Sequence, residues 1–136
     1  MFTIIAVDIS GRHRIHAGYF MVCAAVSIEV TPTSIEKVNE INTAAFLFSA
    51  APELTDIVKI IESTAEKIKA KGPIIIERGD LFNTDEPLAK SLFTREMRYQ
   101  ESIGERKAIE VAHHVSLSSR NLLLKENGMD VRVFEE

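Results

Sequence analysis

Four carboxylates in this 136-residue sequence stand where strands or helices should begin or end: Asp8, the Glu77/Asp80 pair and Glu105. Asp8 interrupts the apolar run Thr3-Ile4-Ile5-Ala6-Val7, and a Ser10-Gly11 turn follows it at once. Glu77 and Asp80 follow the short apolar run Ile74-Ile75-Ile76, and Glu105 opens a long helical pattern. If the first run is a central strand beside Ile74–Ile76, Asp8 and Glu77 meet at one sheet edge, and Glu105 can complete the cluster. Carboxylates so close repel one another, and each is harder to ionise unless a cation lies among them. Mg²⁺ or Mn²⁺, held by few carboxylates plus water and phosphate oxygens, is the usual resolution. Two such ions ~3.5–4 Å apart carry out in-line phosphodiester hydrolysis. Arg12, His13, Arg14 and His16 form the one concentrated basic cluster, placed beside Asp8 where it could contact phosphate.

Each of these residues also has a plain reading. Asp8 could cap the Ser10-Gly11 turn, and Glu77/Asp80 could be a solvated turn. Glu105 could serve the positive end of a helix, and the basic cluster could be a solvated loop. His113 and His114 are adjacent, so on a helix they point about 100° apart and do not readily share an ion. The expectation for that pair is one packed and one exposed ring.

The elements that would position these groups read as follows. Phe2–Ile9 is a buried strand rich in β-branched residues. Tyr19–Thr31 is a second strand, antiparallel to the first because the connection is short, and Pro32 ends it. The segment 34–41 suits a short helix or a strand and is taken as the third strand of a meander. Asn42–Ala50 carries an apolar patch, Ala44–Phe48, expected as loop or helix start. Pro52–Lys71 is the clearest helix, with an apolar stripe from Leu54 to Ile68 and Gly72-Pro73 to stop it. Strands are expected at Ile74–Ile76 and Glu96–Ile103, a helix over Glu105–Lys125 facing Ala108, Val111, Ala112, Val115, Ser119 and Leu122 inward, and a last strand over Met129–Phe134. A meander followed by helical crossovers defines a mixed α/β sheet, and residues 1–136 form a single domain.

The composition excludes several classes. With 16 basic and 20 acidic residues the net charge is −4, unlike a protein that coats duplexes non-specifically. Cys23 is the lone cysteine and lies in an apolar run, so neither a disulfide framework nor a thiolate cluster is available, and a reducing cytoplasm fits. The N-terminus lacks the charged region of a signal peptide, and no run reaches the ~18 apolar residues of a membrane span. The Ala44–Phe48 patch leaves a homo-oligomer open.

Val7-Asp8-Ile9-Ser10-Gly11-Arg12, followed by an apolar strand rich in Val and Ala, resembles the opening of type 2 ribonucleases H, where an acid, a Gly and an Arg end the first strand. Gly104-Glu105-Arg106-Lys107, leading into Ala112–Arg120, loosely resembles that family's late acid and Ala/Ser-rich helix. Ile9 stands where the family has a second acid, His13 where it has a second turn glycine, and Glu105 where it has Asp. The chain is thus read as resembling an archaeal branch of the ribonuclease H-like superfamily. The resemblance implies a ribonuclease H-like mixed sheet and Mg²⁺- or Mn²⁺-dependent cleavage of RNA-containing nucleic acid. Asp8, Glu77, Asp80 and Glu105 would be the catalytic metal ligands, and Gly11, Arg12, His13 and Arg14 would contact substrate. The alternative is a non-catalytic module that binds nucleic acid or a protein partner through the same face.

Overall fold

The computed structural model describes residues 2–15 and 18–126. The expected Met129–Phe134 strand and His16 lie outside them. Three long strands form the meander: β1 (Phe2–Ser10), β3 (Gly18–Val30) and β4 (Ile35–Phe48), with the two-residue β2 (Arg14–Ile15) continuing the β1 side of β3. Two short strands, β5 (Ile74–Ile76) and β6 (Met97–Tyr99), then add parallel to β1, giving the order β4-β3-β1-β5-β6. The helices are α1 (Leu54–Glu66), α2 (Glu86–Leu92) and α3 (Ile103–Glu126), and a 3₁₀ turn spans Arg78–Leu81. The mixed α/β sheet read from the sequence is the one observed. No helix among the described residues is long and apolar enough to cross a membrane.

Strand alternation divides the core in two. Ile5, Val7 and Ile9 of β1 and Met21, Cys23 and Ala25 of β3 face α1 and the Ile74–Leu81 segment. Ile4 and Ala6, with Val26, Ile28 and Val30, face Ala108, Ile109 and Ala112 of α3. Because side chains alternate along a strand, Asp8 and Ser10 share the α3 face with Ile4 and Ala6. Ile9 packs with the core on the other face and also borders the cleft at the end of β1. Burial pushes the Cys23 thiol up to about 12, and it is inert.

Three boundaries differ from the sequence reading. The residues expected as loop or helix start, 42–48, are the second half of the 14-residue β4. Asn42, Ala44, Phe46 and Phe48 alternate inward there, and Phe46 and Phe48 pack on the α1-side core. The first helix starts at Leu54 rather than Pro52, since Glu53 and Asp56 form a reciprocal capping box. It ends at Glu66, five residues before Lys71, and the Glu40 carboxylate accepts hydrogen bonds from the amides of Lys69 and Ala70 beyond it. The strand expected over Glu96–Ile103 is only Met97–Tyr99, and Ile103 already belongs to α3, half exposed.

Gly11 takes the chain out of β1 with φ +93°, a conformation L side chains rarely adopt, and a Cβ there would collide with the Phe20 carbonyl oxygen and the Arg120 side chain. Gly11→Ala should therefore lower stability by at least ~1–2 kcal/mol from the backbone alone, with the collision added. Urea unfolding of the two chains measures it, and equal midpoints would show that the turn relaxes freely.

Candidate functional site

The α3 face of β1 carries two polar residues, Asp8 and Ser10, opposite two on α3, Ser116 and Arg120, and all four are buried. Ser116 Oγ lies 2.9 Å from Asp8 Oδ2 and 2.6 Å from Ser10 Oγ. A hydroxyl has one proton and a carboxylate is its strongest acceptor, so Ser116 donates to Asp8 and accepts from Ser10. His113 Nδ1 is 3.1 Å from the same Oδ2 and donates to it when Asp8 is ionised. Burial raises Asp8 above the usual carboxylate range, while the hydrogen bonds from Ser116 and His113 and the nearby Arg12 charge pull it back.

The second acid comes from the chain after β5. β5 ends at Ile76, beside β1 in parallel register, and the Arg78–Leu81 turn folds Asp80 back toward β1. Asp80 is pushed up to about 7, first by burial and then by the charge of Asp8, with Arg12 opposing and Glu77 adding to the rise. One of its oxygens, Oδ2, is buried without a hydrogen-bond partner. Arg12 spans from the Gly11 turn to this segment. Its Nη1 donates to the Asp80 and Gly79 carbonyl oxygens at 2.9 and 3.3 Å and stands 3.5 Å from Asp80 Oδ1. Its guanidinium lies over the Phe82 ring, 4.6 Å from the centroid. Asp8, Asp80 and Arg12 therefore form one electrostatic group at the ends of adjacent parallel strands.

Beside this group opens a cleft of about 530 Å³, bounded by Ser10, Gly11, Arg12, His13, His113 and Arg120 among others. Gly11, Arg12 and His13, expected from the sequence as substrate contacts, line this cleft. Arg14 sits in β2, exposed and away from the cleft lining. Glu77 is half-buried one residue after β5 and close enough to act on Asp80.

Glu105 does not join the cluster. It lies in the first turn of α3, eight residues before His113, or ~12 Å along the helix axis. There it closes a capping box: Ser102 Oγ accepts from the Glu105 amide, and Glu105 Oε1 accepts from the amide of Glu101 at 2.8 Å and more weakly from that of Ser102. Its Oε2 is 2.5 Å from Arg98. Burial disfavours its charge, but the hydrogen bonds from Arg98 and the Glu101 amide win, and its pKa is lowered. Glu105 is therefore a structural acid at the far end of the helix that lines the site.

Ser10, Ser116 and Arg120 are site residues the sequence reading did not single out, and His113 is one it expected only as a packed or an exposed ring. His113 is neither packed in the core nor merely solvated: half of its side chain is exposed while Nδ1 engages Asp8. The signal was an unexplained acid on an inward strand face, which needs donors from whatever covers it. Ser116 and Arg120 continue the spacing-by-four of Ala108 and Ala112 on the helix that does so.

The fold and site define a mixed α/β sheet domain with an acidic pair and a basic loop at one end of its central strands. The chain belongs to the family described as uncharacterized protein conserved in archaea (DUF2209), which matches residues 5–124, from β1 through most of α3 and with every residue of the cleft. It is similar to the uncharacterized protein MJ0095 of Methanocaldococcus jannaschii, with 34% identity over 122 residues, covering 89% of this chain and 96% of the relative. Both matches bear out the archaeal placement. No solved structure matches the chain.

Proposed function

We propose that the chain is a ribonuclease H-like module whose Asp8–Asp80 pair holds a divalent cation and acts on phosphodiesters of RNA-containing or structured nucleic acid. The observation that carries this reading is the electrostatic coupling of buried Asp8, on β1, with partly buried Asp80, in the turn that follows the adjacent parallel strand. One Asp80 oxygen there has no hydrogen-bond partner among the described residues. A buried, uncompensated carboxylate oxygen beside a like charge is costly without a cation or a proton. The antiparallel meander followed by parallel crossovers, as the resemblance implies, supports the same reading.

The donor set fits Mg²⁺ or Mn²⁺ in a limited way. Among the described residues no three His, Cys, Asp or Glu side chains gather as a ready ligand set. Mg²⁺ needs only one or two carboxylates when water and substrate phosphate supply the rest, and Asp8 and Asp80 are such a pair. The four-acid, two-ion arrangement expected from the sequence loses Glu105, so the residues present favour one ion completed by substrate. A bound cation would polarise the phosphoryl group and lower the pKa of an attacking water. The chain's own residues would do the rest: Ser116 and His113 fix the Asp8 carboxylate, Arg12 presents positive charge to the nucleic-acid backbone, and His13 lines the cleft beside it.

One observation favours the second reading, a non-catalytic module that binds nucleic acid through the same face. Arg12 already neutralises part of Asp80, and a cation would have to compete with it. Incubation of RNA–DNA hybrid and hairpin RNA with Mg²⁺ separates the two. Cleavage that disappears in Asp8→Asn and Asp80→Asn supports the hydrolase. Retained binding without cleavage in the unmodified chain supports the module, and wild-type cleavage by Asp8→Asn contradicts the metal-site reading.

A further inference from the structure

β4 is a 14-residue edge strand, paired on one side with β3 and on the other with no strand among the described residues. Its two halves differ. The first, residues 35–40, carries Glu36, Lys37 and Glu40 and two register irregularities against β3, devices that discourage further pairing. The second, residues 41–48, is an uncharged run, Ile-Asn-Thr-Ala-Ala-Phe-Leu-Phe, in regular register with Val26 through Tyr19 and without Pro or Gly. On the face shared with α3, Ile41 is 54% and Leu47 75% exposed, because α3 packs chiefly on β1 and β3 and only lightly on β4.

We propose that residues 41–47 pair with the same segment of a second copy, antiparallel about a two-fold axis at Ala44, to join two sheets into one. The occupant follows from the strand itself. An uncharged edge offers no charge for an ionic partner to recognise, whereas a two-fold at Ala44 sets Ile41 opposite Leu47, and Leu47 opposite Ile41, on one face. Apolar cross-strand pairs of this kind are what stabilise a sheet. The paired stretch ends at Ile41 and Leu47, so Glu36, Lys37 and Glu40 stay outside it, and Glu40 keeps its hydrogen bonds to the Lys69 and Ala70 amides. The area sets the strength. Seven paired residues span ~23 Å, and a layer ~10 Å deep gives on the order of 230 Å² per chain. That is well under the ~800 Å² per partner of a stable complex, so the dimer exchanges with monomer as concentration changes.

Sedimentation velocity on the full chain, from about 1 μM to about 1 mM, should show monomer passing to dimer, as a weak interface requires. Leu47→Lys should stay monomeric throughout with an unchanged melting temperature, because that side chain is already exposed. Cys23 is buried, so Ala44→Cys introduces the single reactive thiol, and on mild oxidation it should crosslink in higher yield than Ala45→Cys, which faces Thr43 in this register. A monomer at every concentration overturns the proposal, and equal crosslinking of the two cysteine variants overturns the register. Protection from hydrogen exchange at every amide of 41–47 in the dilute monomer also overturns it, since the edge would then be covered within one chain.

Discussion

Asp80→Asn is expected to stabilise the fold at neutral and alkaline pH while removing the function proposed for the site. Asp80 is raised from 3.8 to about 7 in the folded chain, chiefly by burial and then by Asp8. Below pH 4 the carboxyl is protonated in both folded and unfolded chains and contributes no pH dependence. Between pH 4 and 7 the unfolded chain gives up its proton while the folded chain keeps it, so stability falls as pH rises. Above pH 7 the loss is complete and amounts to at most about 4 kcal/mol, since each pKa unit is worth ~1.4 kcal/mol. Asparagine has nothing to ionise, so the two chains should melt alike near pH 4. They should separate by a melting-temperature difference on the order of 10 °C at pH 8. A divalent cation that binds the folded state should recover part of this deficit, by ~2.7 kcal/mol at a hundred times its dissociation constant. Calorimetric melting across pH, with and without Mn²⁺, tests both statements. A flat wild-type profile between pH 4 and 8 would mean that Asp80 is solvated or fully neutralised by Arg12.

The second large effect is a contrast between two acids that look alike in the sequence. Glu105→Gln should cost ~1–2 kcal/mol of stability through the weakened capping box and the lost ion pair with buried Glu105, because Arg98 is then left without its partner. It should leave cation affinity unchanged. Asp8→Asn should behave in the opposite way. It removes half of the acidic pair, and its amide places a donor or a neutral oxygen where Ser116 and His113 now give hydrogen bonds to a carboxylate. Cation affinity should fall by at least ~10–100-fold, the loss commonly seen when even an outer partner of a ligand is removed. Relief of the repulsion with Asp80 should partly offset the lost hydrogen bonds in stability. If Glu105→Gln weakens cation binding as much as Asp8→Asn, the site extends along α3 in a way its first turn does not suggest.

Much of this arrangement could be read from the chain alone, for identifiable reasons. β1, β3 and β5 were legible because β-branched apolar runs bounded by turn residues have few other uses in so short a chain. Asp8 was legible because an acid inside such a run needs a partner, and Asp80 because it follows a strand buried on both faces. The second half of β4 was not: Ala44 and Ala45 read equally well as helix, and only pairing along β3 makes them a strand. Glu105 was misplaced because an acid at a helix start suits both a ligand and a cap. The Ser102-x-x-Glu105 spacing was the signal for the cap. The face of α3 was set wrongly because Val115 and Leu122 are apolar, yet Leu122 is exposed and Ser116 and Arg120 are buried. Their burial is dictated by what β1 and β3 offer them, the Asp8 carboxylate and the Phe20 carbonyl, which the helical pattern of α3 does not contain.

The central claim is that Asp8 and Asp80 form one cation site and that Glu105 lies outside it. Calorimetric titration of Mn²⁺ at pH 8 into the wild type, Asp8→Asn, Asp80→Asn and Glu105→Gln tests it most directly. The expected result is a single site per chain in the wild type and in Glu105→Gln, lost in both aspartate variants. Absence of binding in the wild type, or binding that survives both aspartate substitutions, would contradict it.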